Sequence, residues 1–117
     1  MIIKNITKNR ILVANSMACD DVFSKLVGLM FSKKQKKGLI LKFGNEDFIN
    51  LHMFFVFYSI DVLFLNKNNI VVNKKENFKP FAFCKSKKKA MYAIEMPNGV
   101  IKKTKTCIGD KIGFYSE

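Results

Sequence analysis

The sequence predicts a mainly β fold: one small domain, 1–117, built as a β-sandwich or partly open barrel of short antiparallel strands, with one short α-helix at about residues 20–31. Three observations lead there. Short apolar or alternating runs recur along the chain, separated by turns rich in Asn, Gly and Pro. Only one stretch carries a helical period. The 117-residue length suits a single core, and a chain of this size buries roughly two-thirds of the surface it exposes unfolded.

The elements follow in order. "IIKNITKNRILVANSM" reads as two strands, with Asn9 and Arg10 near their connection. In "DDVFSKLVGLMFS", Val22, Phe23, Leu26, Val27, Leu29 and Met30 fall on one helical face. Asp20 is a candidate N-cap and Asp21 suits the positive end of the helix dipole. "SKKQKKG" is a solvated loop, "LILKF" a strand and "GNED" a turn. From Phe48 to Phe57 both alternating sets are largely apolar, which places that strand at the centre of the fold. "IDVLFL", the turn "NKNN" and "IVV" form a hairpin, with Asn where positive φ is needed. "NKKENFKPFAFCKSKKK" is the most loop-like segment. "AMYAIEM" is a strand, Pro97 to Gly99 a turn, and "GDKIGFYS" a Gly109-Asp110 turn leading into the last strand.

Charge and cysteine content narrow the function classes. Lysine and arginine total 21 against 9 acids, a net charge of +12. Arg10 is the single arginine. Base-edge and bidentate phosphate recognition favour arginine, so a lysine-only surface implies weak, non-specific affinity for polyanions. The three cysteines, Cys19, Cys84 and Cys107, have no CxxC spacing. They read as buried or half-buried free thiols in a reducing cytoplasm, and no metal or cofactor is expected. Ser59 and Asp61 interrupt the longest apolar run, so no membrane span is expected. "ILVANSMAC" reads as a strand and not as a lipoprotein signal.

Several motifs occur in order: "GLM" at Gly28 to Met30 (with Leu29 between), "GLIL" from Gly38, "HMFFVFYSIDVLFL" from His52, "IVV" from Ile70, "YAIEMPNG" from Tyr92 and "IGDKIGF" from Ile108. Together they cover nearly the whole chain, and the chain resembles the DUF192 (UPF0127) family of uncharacterised proteins, especially its archaeal members. The family pattern has a basic residue ahead of "GLM", here Lys25, and often Pro before the "ID" pair, here Ser59. Its Glu-Leu-x-x-Gly turn is Glu95, Met96, Pro97, Asn98 and Gly99 here. The resemblance implies a compact, mostly-β domain with a short helix. It makes Gly28, Leu29, Met30, Gly38, Gly99, Gly109 and Asp110 family-motif positions of structural weight. It implies no particular activity.

Three polar residues stand among apolar ones: His52, Asp61 and Glu95. His52 is either a satisfied core histidine or a neutral base or ligand, since apolar neighbours lower its pKa. Met53 falls on the opposite parity, so the two cannot bind one metal from a regular strand. Asp61 needs solvent, a lysine or backbone N–H groups, because burying it unpaired is costly. Glu95 is either a strand-end ion pair or part of a site. Asp110 in "GDK" reads as a turn stabiliser. One His with two carboxylates can hold a divalent metal or supply acid–base pairs. Nothing in their spacing brings the three together.

The expected function is a small-molecule-binding or accessory module with a cleft near His52, Asp61 and Glu95. The first alternative is nucleic-acid or polyanion binding through the Lys clusters at 33–37, 85–89 and 102–105, one of them interleaved with Phe78, Phe81 and Phe83. The second is a hydrolase or lyase using His52 with a carboxylate. No nucleophile elbow or phosphate loop supports that last reading.

Overall fold

The computed structural model describes residues 1–19, 38–52, 59–79 and 82–116. Their elements run β1 (Ile2–Asn5), β2 (Arg10–Val13), β3 (Ser16–Cys19), β4 (Gly38–Asp47), β5 (Asn50–His52), β6 (Ile60–Leu65), β7 (Val71–Phe78), β8 (Phe83–Lys85), β9 (Ala90–Pro97), α1 (Val100–Thr104) and β10 (Ile112–Tyr115). The protein is mainly β. The helix expected at 20–31, with Gly28, Leu29 and Met30, lies outside the described residues.

The strands form a five-stranded sheet in the order β3-β4-β9-β6-β7, a three-stranded sheet β10-β1-β2 and a two-stranded sheet β5-β8. The described sheets do not close into a barrel. Pairing is antiparallel except between β3 and β4, which run parallel with Ser16 opposite Gly38 and Cys19 opposite Leu41. A Cβ on Gly38 would stand 3.1 Å from a Val13 methyl and 3.3 Å from Ile3, so β4 enters the sheet where only hydrogen fits comfortably.

The large sheet is covered on both faces. On one face Ile40, Leu63, Leu65, Ile94 and Met96 join Ile3, Leu12, Val13 and Ile112 of the three-stranded sheet and Ile101 of α1. On the other, Leu41, Val62, Phe64 and Ala93 join Ile49, Phe78 and the half-buried Cys84. The β5-β8 ribbon therefore lies over this second face. All six residues of β6 are buried, as a strand enclosed from both sides requires.

The middle strand of the large sheet is β9, and the strand buried along its whole length is β6. Asn50 to His52 lie in the small covering sheet, and residues 53–58 are outside the description. "GNED", expected as a turn, does not turn the chain. It is absorbed into β4 as a register irregularity, from Lys42 opposite Tyr92 to Asp47 opposite Ala90. Glu46 Oε2 accepts the Lys67 N–H at 2.7 Å and ties this stretch to the next turn. β7 also runs further than expected, through the lysines of "NKKENF" to Phe78. It is an edge strand, where charged side chains reach water and discourage further pairing.

The expected β6-β7 hairpin is present. Asn69 takes φ +62°, and Asn66 Oδ1 accepts the N–H groups of Asn68 and Ile70. Helix α1 has five residues, too few to print a period on the sequence.

Candidate functional site

Asp61 is the second residue of β6 and is fully buried. Its Oδ1 accepts the Asn77 N–H at 3.0 Å. Its Oδ2 accepts the N–H groups of Gly99 at 3.0 Å and Ile101 at 2.9 Å. Gly99 is the residue before α1 and takes φ +97°, which an L side chain rarely adopts. Its own residue supplies no side-chain cap, so the β6 carboxylate caps the helix from another element. One side chain thus joins β6, β7 and the turn into α1.

Glu95 is 4% exposed. On β9 it stands opposite Leu39 of β4 and Val62 of β6, in an apolar row across the sheet. Its Oε2 is buried and has no hydrogen-bond partner among the described residues. Burial pushes its carboxyl up from 4.5 to about 8, so the neutral acid dominates at neutral pH.

Asp61 and Glu95 do not share a pocket. Asp61 is opposite Met96, and Glu95 is opposite Val62. Cross-strand partners point the same way and successive residues point opposite ways. Asp61 therefore lies on the Met96 face, toward the three-stranded sheet, and Glu95 on the Val62 face, beneath β5-β8. The two carboxylates cannot ligate one ion together. The backbone of His52, opposite Phe83, belongs to the β5-β8 layer on the Glu95 side. The His52 side chain is outside the described residues.

A second polar group, unexpected from the sequence except at Asp110, closes the far end. Asp110 Oδ2 accepts from Asn5 Nδ2, Lys8 Nζ and the Cys107 N–H, each at 2.9 Å. Asn5 Nδ2 also reaches Thr106 Oγ1 at 3.1 Å, and its Oδ1 accepts the Lys8 N–H at 2.9 Å. Desolvation alone would raise the Asp110 carboxyl. The bonds from Asn5, Cys107 and Lys8 outweigh it and hold the carboxyl below its ordinary 3.8. Asp110 thus ties its own turn to β1. Gly109, at φ +97°, donates to Val71 O in that turn. The available signal was Asn5 on the inward parity of β1, two residues after buried Ile3. Asn5→Ala is expected to cost about 2–3 kcal/mol in urea unfolding, because it leaves buried partners unsatisfied. A loss under about 0.5 kcal/mol would show the network to be dispensable.

The thiols divide. Cys84 is half-buried, and burial raises its pKa. Cys107 is exposed, against expectation, because it sits in the turn after α1. No described helix is long and apolar enough to cross a membrane.

The whole-chain comparison matches this architecture. The DUF192 family model, described as an uncharacterized ACR, matches residues 4–114. The chain belongs to the DUF192 family. Its relatives include the UPF0127 proteins of Thermococcus sibiricus, 35% identical over 97% of this chain and 74% of the relative, and of Pyrococcus horikoshii, 35% identical over 97% and 99%. Among solved structures, a Sinorhizobium meliloti protein named provisionally as a transcription regulator superposes with a TM-score of 0.83 at 20% identity, covering 96% of this chain and 89% of that one. A Novosphingobium aromaticivorans protein of unknown function gives 0.82 at 19%, covering 97% and 82%. Those two likenesses establish the fold and nothing further.

Proposed function

We propose that this DUF192 chain is a small-ligand-binding or accessory module of the cytoplasm, with its ligand held on the Glu95 face of the five-stranded sheet. The observation that carries this reading is the buried Glu95 Oε2, which has no partner among the described residues. Buried polar atoms are nearly always bonded, and exceptions concentrate where a protein binds or reacts. A neutral carboxyl both donates and accepts, so it suits an amide, a carboxylic acid or a similar paired group on a ligand otherwise apolar. His52 is left out of this site, because its strand partner Phe83 belongs to the outer face of the β5-β8 layer, away from Glu95. Asp61 is assigned to the turn, because its oxygens already hold three backbone donors. The free thiols Cys84 and Cys107 support a reducing compartment.

The test is a thermal-shift screen of small acids, amides and amines against wild type, Glu95→Gln and Glu95→Leu. A ligand at one hundred times its Kd adds about 2.7 kcal/mol, on the order of 10 °C for a chain this size. The expected result is a compound that shifts wild type and loses most of its effect in Glu95→Leu. Equal shifts in all three proteins would remove Glu95 from the site.

A further inference from the structure

The small sheet turns two sets of residues in opposite directions. Ile49, Cys84 and Ser86 face the core, with Ile49 3% and Ser86 2% exposed. The alternate residues Phe48, Asn50, Phe83, Lys85 and Lys87 are exposed. Phe83 is 76% exposed and Phe48 44%. Lys88 and Lys89 continue the exposed run. The arrangement is pinned from beneath: Ile49 N donates to Ser86 Oγ at 2.9 Å, and Ser86 N donates to Ile49 O at 2.8 Å. The Lys87 N–H is further held by Asn73 Oδ1 at 3.0 Å. The Lys85 ammonium lies 5.4 Å from the Phe48 ring centroid, which fits a cation–π contact.

Single exposed apolar side chains need no explanation. Two phenyl rings on one face of a two-stranded ribbon, set among four lysines, are a different case. We propose that this outer face, Phe48, Phe83, Lys85, Lys87, Lys88 and Lys89, binds single-stranded nucleic acid. The rings stack unpaired bases and the lysines take the backbone phosphates. The charge complementarity is direct, since the run 85–89 carries four lysines in a chain of net charge +12. Strand spacing sets the two rings about 13 Å apart along the ribbon, with Lys85 between them. That interruption disfavours a membrane, because insertion calls for a contiguous apolar face with charge at its margin. A duplex is disfavoured too, because its bases are already stacked and paired. This surface faces away from Glu95, so the inference stands apart from the ligand site.

The experiment is fluorescence anisotropy with labelled oligo-dT, oligo-U and a duplex of equal length at near-physiological salt, alongside phosphatidylserine vesicles. Single strands are expected to bind more tightly than duplex. Phe48→Ala and Phe83→Ala are each expected to weaken single-strand binding about 5- to 100-fold without changing the salt slope. A Lys87→Glu, Lys88→Glu, Lys89→Glu variant is expected to flatten that slope. All six positions are exposed, so circular dichroism should show each variant folded. Equal affinity for duplex overturns the proposal, as does indifference to both Phe substitutions. Phe-dependent binding to vesicles alone overturns it in favour of a membrane surface.

Discussion

Asp61→Ala is expected to destabilise the protein by about 3–5 kcal/mol, the largest loss among single polar substitutions here. The residue is fully buried and accepts three backbone N–H groups, from Asn77, Gly99 and Ile101. Alanine leaves all three donors without their acceptor, at about 1–3 kcal/mol for each that stays dry. It also opens a void on the face that packs against Met96. A domain of this size has only about 5–15 kcal/mol in total, so the variant should be marginal at 37 °C. Asp61→Asn should fall between, because its amide keeps one acceptor and turns an N–H₂ toward donors. Urea unfolding followed by far-ultraviolet circular dichroism measures both. Hydrogen exchange supplies the local readout, since the Gly99 and Ile101 amides should lose protection first. A loss below about 1 kcal/mol, with those amides still protected, would sink this account of the turn.

The second large effect is the pH dependence of stability set by Glu95. Its carboxyl sits at about 8 in the fold against an ordinary 4.5. Between those values the folded chain keeps a proton that the unfolded chain releases. Stability therefore falls as pH rises from about 4.5 to about 8 and then levels off. At 1.36 kcal/mol per pH unit the fall is on the order of 5 kcal/mol. Glu95→Gln cannot ionise, so its stability should lack this slope. Near pH 5 the two proteins should unfold at similar urea concentrations; near pH 8.5 the Gln protein should be the more stable. Parallel pH profiles for the two would show that Glu95 is solvated or paired. Asp110 works in the opposite sense. Its depressed carboxyl contributes stability above its ordinary 3.8, and that contribution is lost as the solution is acidified below it.

Both effects arise from carboxylates that were visible in the sequence as anomalies within apolar runs, yet the sequence left them alike. Alternation is a local rule. It marks Asp61 and Glu95 as inward or buried without saying which sheet face each reaches, since that depends on the β6-β9 register. The same limit explains β4, whose "GNED" carries strong turn residues but is held in an irregular strand by neighbours distant in sequence. It explains β7 as well, because an edge strand is polar for reasons that no local window contains. The aromatic-basic segment divided in a way composition does not reveal. Phe78 is 1% exposed and Phe83 is 76% exposed, five residues away.

What the residue pattern determined by itself was the class of fold and the family. Short apolar runs broken by Asn, Gly and Pro specify strands and turns through backbone sterics and burial, both of which act over a few residues. What only the tertiary structure decided was the partner of each buried polar group. Asp61 finds three backbone donors, from a neighbouring strand and a helix start up to 40 residues away. Glu95, on the adjacent strand, finds none for Oε2 among the described residues. Hydrogen-bond satisfaction depends on distance and direction between elements remote in the chain, and those are set when the sheets pack.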